Sequence, residues 1–253
     1  MAVSLKQLVI YCNTLLTPEK YRDYCPNGLQ VEGRGQVRRI VSGVTASQAL
    51  LDRAVVLGAD LILVHHGYFW KGEAEVITGM KKRRLQTLLN HDISLLAYHL
   101  PLDGHPQLGN NACLADKLGL QITGGLDPDN PLSIGLTGRL PSPLSVGDFN
   151  RQITQVMGRE VLHIEGGPEP IETVGWCTGA AQGYIEKAAD LGLDAFISGE
   201  ISEPTVHSAR ELGIHYFAAG HHATERYGIQ ALAEALAQQF DLEHHFVDID
   251  NPV

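Results

Sequence analysis

The stretch Ile62–Trp70, ILVHHGYFW, ends an apolar run in two adjacent histidines. One imidazole at the end of a buried strand packs; two raise the question of a metal ion. Three further groups carry donors of the same kind. His99 and Asp103 lie four apart in YHLPLDG, His221 and Glu225 lie four apart in AGHHATERYG, and Glu200 ends FISGE. Residues four apart on a helix share a face, whereas neighbours on a strand point to opposite faces. His65 and His66 therefore converge only where the strand breaks into a loop, which Gly67 permits, and such neighbours can also serve two different ions. These donors are too few for two isolated four-coordinate ions, but they suffice when a carboxylate and a water bridge the pair. Two ions roughly 3.5–4 Å apart clamp the attacking and leaving atoms of a hydrolysis. Nitrogen and oxygen donors without thiolate suit Zn, Mn, Fe or Ni and do not choose among them.

Each piece has a plainer reading. A buried histidine is more often a hydrogen-bonded core residue than a ligand. His221 and Glu225 can be an ordinary helix-start pair, and Asp103 in PLDGHP can be a turn residue. The convergence of all three groups on strand ends favours the joint reading. His222 can point off the ligand face, and Glu200 can be a packing acid or a group behind the ligands. His207, His215, His244 and His245 read as structural or surface residues. Tyr68, Phe69 and Trp70 can stack a heterocycle, although packing is the commoner use of such aromatics.

The elements that must position these groups alternate. RRIVSGV, LILVHH, ISLLAYH, ETVGWCT, AFISG and IHYFAAG read as strands. SQALLDRAVVLG, MKKRRLQTLLNH, NNACLADKLG, GYIEKAADLG, PTVHSARELG and TERYGIQALAEALAQQF read as helices, several stopped by glycine. That order predicts an α/β layered fold with mostly parallel strands. The chain also repeats itself. Residues 40–66 overlie residues 174–200 without a gap, placing Ala46, Ala54, Leu57, Gly58 and Asp60 on Ala180, Ala188, Leu191, Gly192 and Asp194. Each copy is strand–helix–strand, and a histidine four residues before a carboxylate follows the third strand of both halves. The reading is a duplication, with a first lobe over 1–125, a second over 126–253, and the metal site in the cleft between them, since ligands favour the C-terminal ends of parallel strands. Residues 127–143, rich in Pro, Gly, Asp and Ser, look like the connection, with a strand over Ser133–Thr137, and Ser145 with Asp148 resembles a helix cap.

Composition excludes several classes. The 253 residues are 44% hydrophobic and only 19% charged, which argues for a packed core and against disorder. A net charge of -10 disfavours binding to a nucleic-acid backbone, and Lys81-Lys82-Arg83-Arg84 reads as a solvated helix face. Cys12, Cys25, Cys113 and Cys177 are not at metal or redox spacing and read as reduced thiols. Neither a leader peptide nor an apolar run of the roughly 20 residues a membrane helix needs is visible, so a cytoplasmic protein is expected. No glycine-rich, lysine-bearing phosphate loop is present.

Together PNGLQVEG, GADLILVHHGYFW, HLPLDGHPQLGNNACLA, DAFISGEIS and AAGHHATERYG resemble the Ngg-interacting-factor-three-like family, whose bacterial members are known as GTP cyclohydrolase I type 2 homologues. The likeness spans nearly the whole chain. It implies a three-layer α/β/α fold of two intertwined repeats and a dinuclear centre of two divalent ions held by His65, His66, Asp103, His221 and Glu225. It places His99 beside the ions as an acid/base or supporting group. It also implies a homo-oligomer, a toroidal hexamer with its metal sites facing an internal cavity. The activity expected is hydrolysis of a C–N or phosphate-type bond in a nucleotide-like or N-heterocyclic small molecule, with damaged-nucleotide handling as an implied role. The alternative is a metal-binding regulatory or storage protein without turnover.

Overall fold

The computed structural model describes residues 2–253. In chain order the elements are β1 (Val3–Ser4), α1 (Leu5–Leu16), β2 (Gly28–Val31), β3 (Gln36–Val37), β4 (Arg39–Thr45), α2 (Gln48–Val56), β5 (Leu61–His66), α3 (Gly79–Asn90), β6 (Ser94–Ala97) and α4 (Leu100–Asp103). Next come α5 (Asn110–Leu118), β7 (Gln121–Gly125), β8 (Leu136–Leu144), α6 (Val146–Met157), β9 (Leu162–Ile164), β10 (Ile171–Cys177), α7 (Ile185–Asp190), β11 (Ala195–Ser198), α8 (Glu203–Leu212), β12 (His215–Ala218) and α9 (His221–Thr224). The chain ends through α10 (Arg226–Phe240) and β13 (Glu243–Phe246). Two compact units result: residues 1–108 with 228–250, and residues 109–227 with 251–253. These divisions differ from the sequence lobes 1–125 and 126–253 at both ends: 228–250 joins the first unit, where β13 pairs in parallel with β4, and 109–125 joins the second, where β7 pairs with β8.

In the first unit the sheet order is β13-β4-β5-β6-β2, parallel except for β2. The period of two along a strand divides its side chains between two helical layers. Ile40, Leu61, Leu63 and Leu96 pack with Leu5, Leu8 and Leu16 of α1 and with Ile229, Leu232 and Leu236 of α10. Val41, Ile62, Val64, Leu95 and Ala97 pack with Leu50, Leu51 and Ala54 of α2 and with Leu85 and Leu88 of α3. Burial on both faces explains why these strands read as continuous apolar runs rather than alternating ones. Each such leucine or isoleucine is worth roughly 1.5–3 kcal/mol when fully buried.

The second unit has the order β7-β8-β10-β11-β12-β9, with a parallel centre of β10, β11 and β12. Val174, Trp176, Ile197 and Phe217 face α5 and α6, while Phe196 and Tyr216 face α7 and α8. Each unit is thus a three-layer α/β/α sandwich.

The duplication is legible in hydrogen bonds as well as letters. Asp60 accepts from the N–H groups of Arg38 and Arg39, and Asp194 accepts from those of Glu172 and Thr173, the residues that overlie them. Gly58 and Gly192 both turn the chain out of the preceding helix at φ +66° and +69°, where a side chain is disfavoured.

Ser145 caps α6, its Oγ accepting from the Asp148 N–H at 3.1 Å. The strand expected at Ser133–Thr137 instead runs Leu136–Leu144. Its prolines, Pro141 and Pro143, lie where the β8–β10 register jumps between Arg139 and Leu144. They remove no ladder hydrogen bond there, as proline in a sheet requires. The helix expected from Thr224 begins at Arg226, preceded by the single turn α9.

Candidate metal centre

In the first unit the candidate ligands lie at the C-terminal end of β5 and just after that of β6. Strand β5 runs through His66, whose last pairing is with Thr45 of β4, so the histidines meet at the strand's end rather than in a following loop. The two rings nevertheless lie 4.6 Å apart between centroids. They reach opposite neighbours: His65 Nδ1 is 2.9 Å from the Tyr98 carbonyl beyond β6, and His66 Nδ1 is 3.2 Å from Thr45 Oγ1 on β4. A carbonyl only accepts, so His65 carries its proton on Nδ1 and turns the Nε2 lone pair toward Asp103 Oδ1, 3.5 Å away. Asp103 ends the single turn α4 and is buried, as is His65.

His99 completes this group. One ring nitrogen of each of His65, His66 and His99 lies within 4.8 Å of the others. Its Nδ1 is 2.6 Å from Asp23 Oδ1, and its ring meets Trp70 edge-on at 5.0 Å between centroids. Trp70 is fixed by donating its Nε1–H to the Gly67 carbonyl. Tyr68, by contrast, is buried and donates its hydroxyl proton to the Ala46 carbonyl, so of the aromatic triplet Trp70 borders the histidines and Tyr68 packs the core.

In the second unit the single turn α9 presents His221 and Glu225. His221 Nε2 is 3.2 Å from Glu225 Oε2, and its Nδ1 is 2.7 Å from Glu200 Oε1. Glu200, whose role the letters alone left open, therefore orients His221. Burial disfavours the charged imidazole, but Glu225 and Glu200 outweigh it and hold the His221 pKa up at about 9. The carboxylate fits only because residue 179 is glycine: at φ +70°, a Cβ there would sit 2.2 Å from Glu225 Oε1.

These donor sets fit divalent cations. Each half pairs an imidazole Nε2 with a buried carboxylate, and in each the Nδ1 is held by an acceptor, the arrangement that orients metal-binding histidines. At His221 a proton lies between two carboxylates, a place a cation can take. The histidines read from the sequence as structural or surface residues have other bonds: His207 with Glu203, His215 with the Pro168 carbonyl, His244 with Ser42 and His245 with Glu243. His222 is buried, donates its backbone N–H to the Val253 carbonyl, and joins none of the potential metal-binding groups found among the described residues. Asp23 and Thr45 escaped sequence reasoning. Their partners lie 76 and 21 residues away, and no local pattern marks them.

A model of the family Duf34/NIF3 (NGG1p interacting factor 3) matches residues 3–252. A Pseudomonas aeruginosa protein named GTP cyclohydrolase 1 type 2 homolog is 60% identical, each chain covered over its full length. Its namesake in Escherichia coli (strain K12) is 54% identical over 98% of both chains. The solved structure of protein ybgI, described as of unknown function, superposes with a TM-score of 0.95 at 52% identity, covering 99% of this chain and 100% of that one. A structure from Thermus thermophilus gives 0.90 at 34% identity, with the same coverage. HcgD from Methanocaldococcus jannaschii, 21% identical with a TM-score of 0.84 over 99% of both chains, shares the fold. The chain belongs to the Duf34/NIF3 (NGG1p interacting factor 3) family.

Proposed function

We propose that this chain is a dinuclear-metal-dependent hydrolase acting on a nucleotide-like or N-heterocyclic small molecule. The observation that carries the reading is the matched pair of imidazole–carboxylate units, His65 with Asp103 and His221 with Glu225. In both, Nδ1 is tied to an acceptor and Nε2 faces a buried carboxylate. The name shared by the curated relatives, GTP cyclohydrolase 1 type 2 homolog, supports a substrate of nucleotide type.

In this reading His65, His66, Asp103, His221 and Glu225 would hold the ions, of Zn, Mn, Fe or Ni. Two such ions, when bound, lower the pKa of water toward 7 and polarise the bond to be cut. His99 takes the proton from the attacking water and passes it to the leaving nitrogen or oxygen, general acid–base work typically worth 10²–10⁴ in rate. Trp70 packs edge-on against the His99 ring on one side. The proposal extends to a cytoplasmic homo-oligomer, a toroidal hexamer, which light scattering tests. Among the described residues, no helix is long and apolar enough to cross a membrane.

The experiment is a screen of the purified chain, loaded with Mn, Zn, Fe or Ni, against GTP, damaged nucleotides and simple N-heterocycles. Turnover that falls at least about 10³-fold in both His65→Ala and Asp103→Ala supports the mechanism. Turnover that survives both replacements overturns it. Tight metal binding with no turnover of any compound favours the regulatory or storage reading.

A further inference from the structure

Asp23 lies in the segment between α1 and β2, and its side chain is only 4% exposed. A carboxylate buried that far is costly unless its lone pairs are satisfied, and here they are. Oδ1 accepts from the Tyr24 N–H at 2.6 Å and from His99 Nδ1 at 2.6 Å. Oδ2 accepts from the Asn27 side-chain amide at 2.8 Å and from the Leu100 N–H at 3.0 Å. Asn27 in turn accepts the His99 backbone N–H through Oδ1 at 2.7 Å. Both the ring and the main chain of His99 are thus clamped by one loop.

We infer that Asp23 is a positioning residue for His99, holding its imidazole as the Nδ1–H tautomer and leaving Nε2 as the nitrogen that accepts a proton. The inference rests on the role proposed above for His99 and names what sets that role. Ionised, Asp23 accepts at both oxygens and has no proton to offer Nδ1, and it stays ionised. Burial pushes its pKa up, but the hydrogen bonds from His99 and Asn27 pull it down to about 2. The same pocket holds Cys25, but burial first, and the Asp23 charge second, push that thiol up to about 12, so Cys25 is no nucleophile. The chemistry of the pocket runs through His99. In the proton's path, a water O–H bond breaks as the water oxygen bonds to the substrate's electrophilic atom, and the proton bonds to Nε2. The resulting imidazolium keeps its Nδ1–H on Asp23, and the Nε2 proton then moves to the leaving nitrogen or oxygen as its bond to that atom breaks.

A merely structural Asp23, pinning its loop to the start of α4, predicts no particular tautomer. The exchange Asp23→Asn separates the two, because an amide can turn its N–H₂ toward Nδ1 and force the ring proton to Nε2. The test is solid-state ¹⁵N NMR on full-length protein labelled at histidine, metal-free and zinc-loaded, with the His99 signals assigned by their loss in His99→Gln. The wild type is expected to show a protonated Nδ1 and a bare Nε2, and D23N the reverse. A wild type protonated at Nε2, or a D23N protein with the wild-type tautomer, overturns the inference. The wild-type spectrum decides alone if D23N does not fold. The readout needs no substrate, so a chain that hydrolyses nothing removes the hydrolase reading while the tautomer is still read. On a turned-over nucleotide, D23N lowers kcat by about 10²–10⁴-fold and leaves KM within about twofold.

Discussion

His221 sits between Glu200 and Glu225, and its proton is a stabilising ion of the metal-free chain. With its folded pKa near 9 and an ordinary value of about 6.5, the contribution is complete below about pH 6.5. It is lost as the pH rises through about 9. The melting temperature of the metal-free wild type should therefore exceed that of His221→Gln by several degrees at pH 6, and by progressively less toward pH 9.5; a gap that does not narrow contradicts the assignment. A cation must displace that proton. Zinc binding at pH 7 is then expected to release about one proton from this residue, seen by calorimetry in buffers of different ionisation heat and absent in His221→Gln. The clustering of histidines and carboxylates at this scale was legible, because these residues at strand ends are unusual and recur at one spacing. The residues behind them were legible only in part. Glu200 stood out at a strand end with its role open, whereas Asp23 acts on a partner 76 residues away, and nothing in a linear pattern distinguishes it from other acids.

The same element is used twice, and its weight can be measured. Asp194 serves the Glu172 and Thr173 N–H groups and the Thr173 hydroxyl. Its counterpart Asp60 serves Arg38 and Arg39 and also pairs with Arg34. Replacing either by alanine strands those donors, at about 1–3 kcal/mol, so each variant should melt about 3–10 °C lower with metal content unchanged. Unchanged melting in both would show that these aspartates do not hold the strands that follow them. Gly179→Ala acts in the other direction. Its Cβ collides with the Glu225 carboxylate, so zinc affinity should drop at least about tenfold, comparable to losing a supporting group, and undiminished affinity would argue against Glu225 as a ligand. The helices and parallel strands were readable because hydrophobic runs and glycine stops mark them. Strand β8 was misplaced because its prolines read as linker, and only the register jump opposite β10 explains how a sheet tolerates them. Likewise α9 was merged with α10, since one turn has no periodicity of its own.

For the whole chain, alternation of strand and helix was enough to reach a layered α/β fold with mostly parallel strands, the family resemblance added the third layer, and the gapless overlay of residues 40–66 on 174–200 was enough to reveal the duplication. The compact units were not readable from it, because they depend on the pairing of β13 with β4, whose residues are about 200 positions apart, and no local signal encodes such a pairing. Family membership rests on the whole length of the chain, whereas the proposed activity rests on the side chains at two sets of strand ends. The claim on which the rest depends is that these side chains bind a pair of divalent ions. The most direct test is elemental analysis of the full-length protein as isolated and after loading with Mn, Zn, Fe or Ni. About two ions per chain are predicted, falling in both His65→Ala and His221→Ala. A folded wild-type chain that retains no divalent ion under any loading, or one whose metal content is untouched by both replacements, would contradict the account.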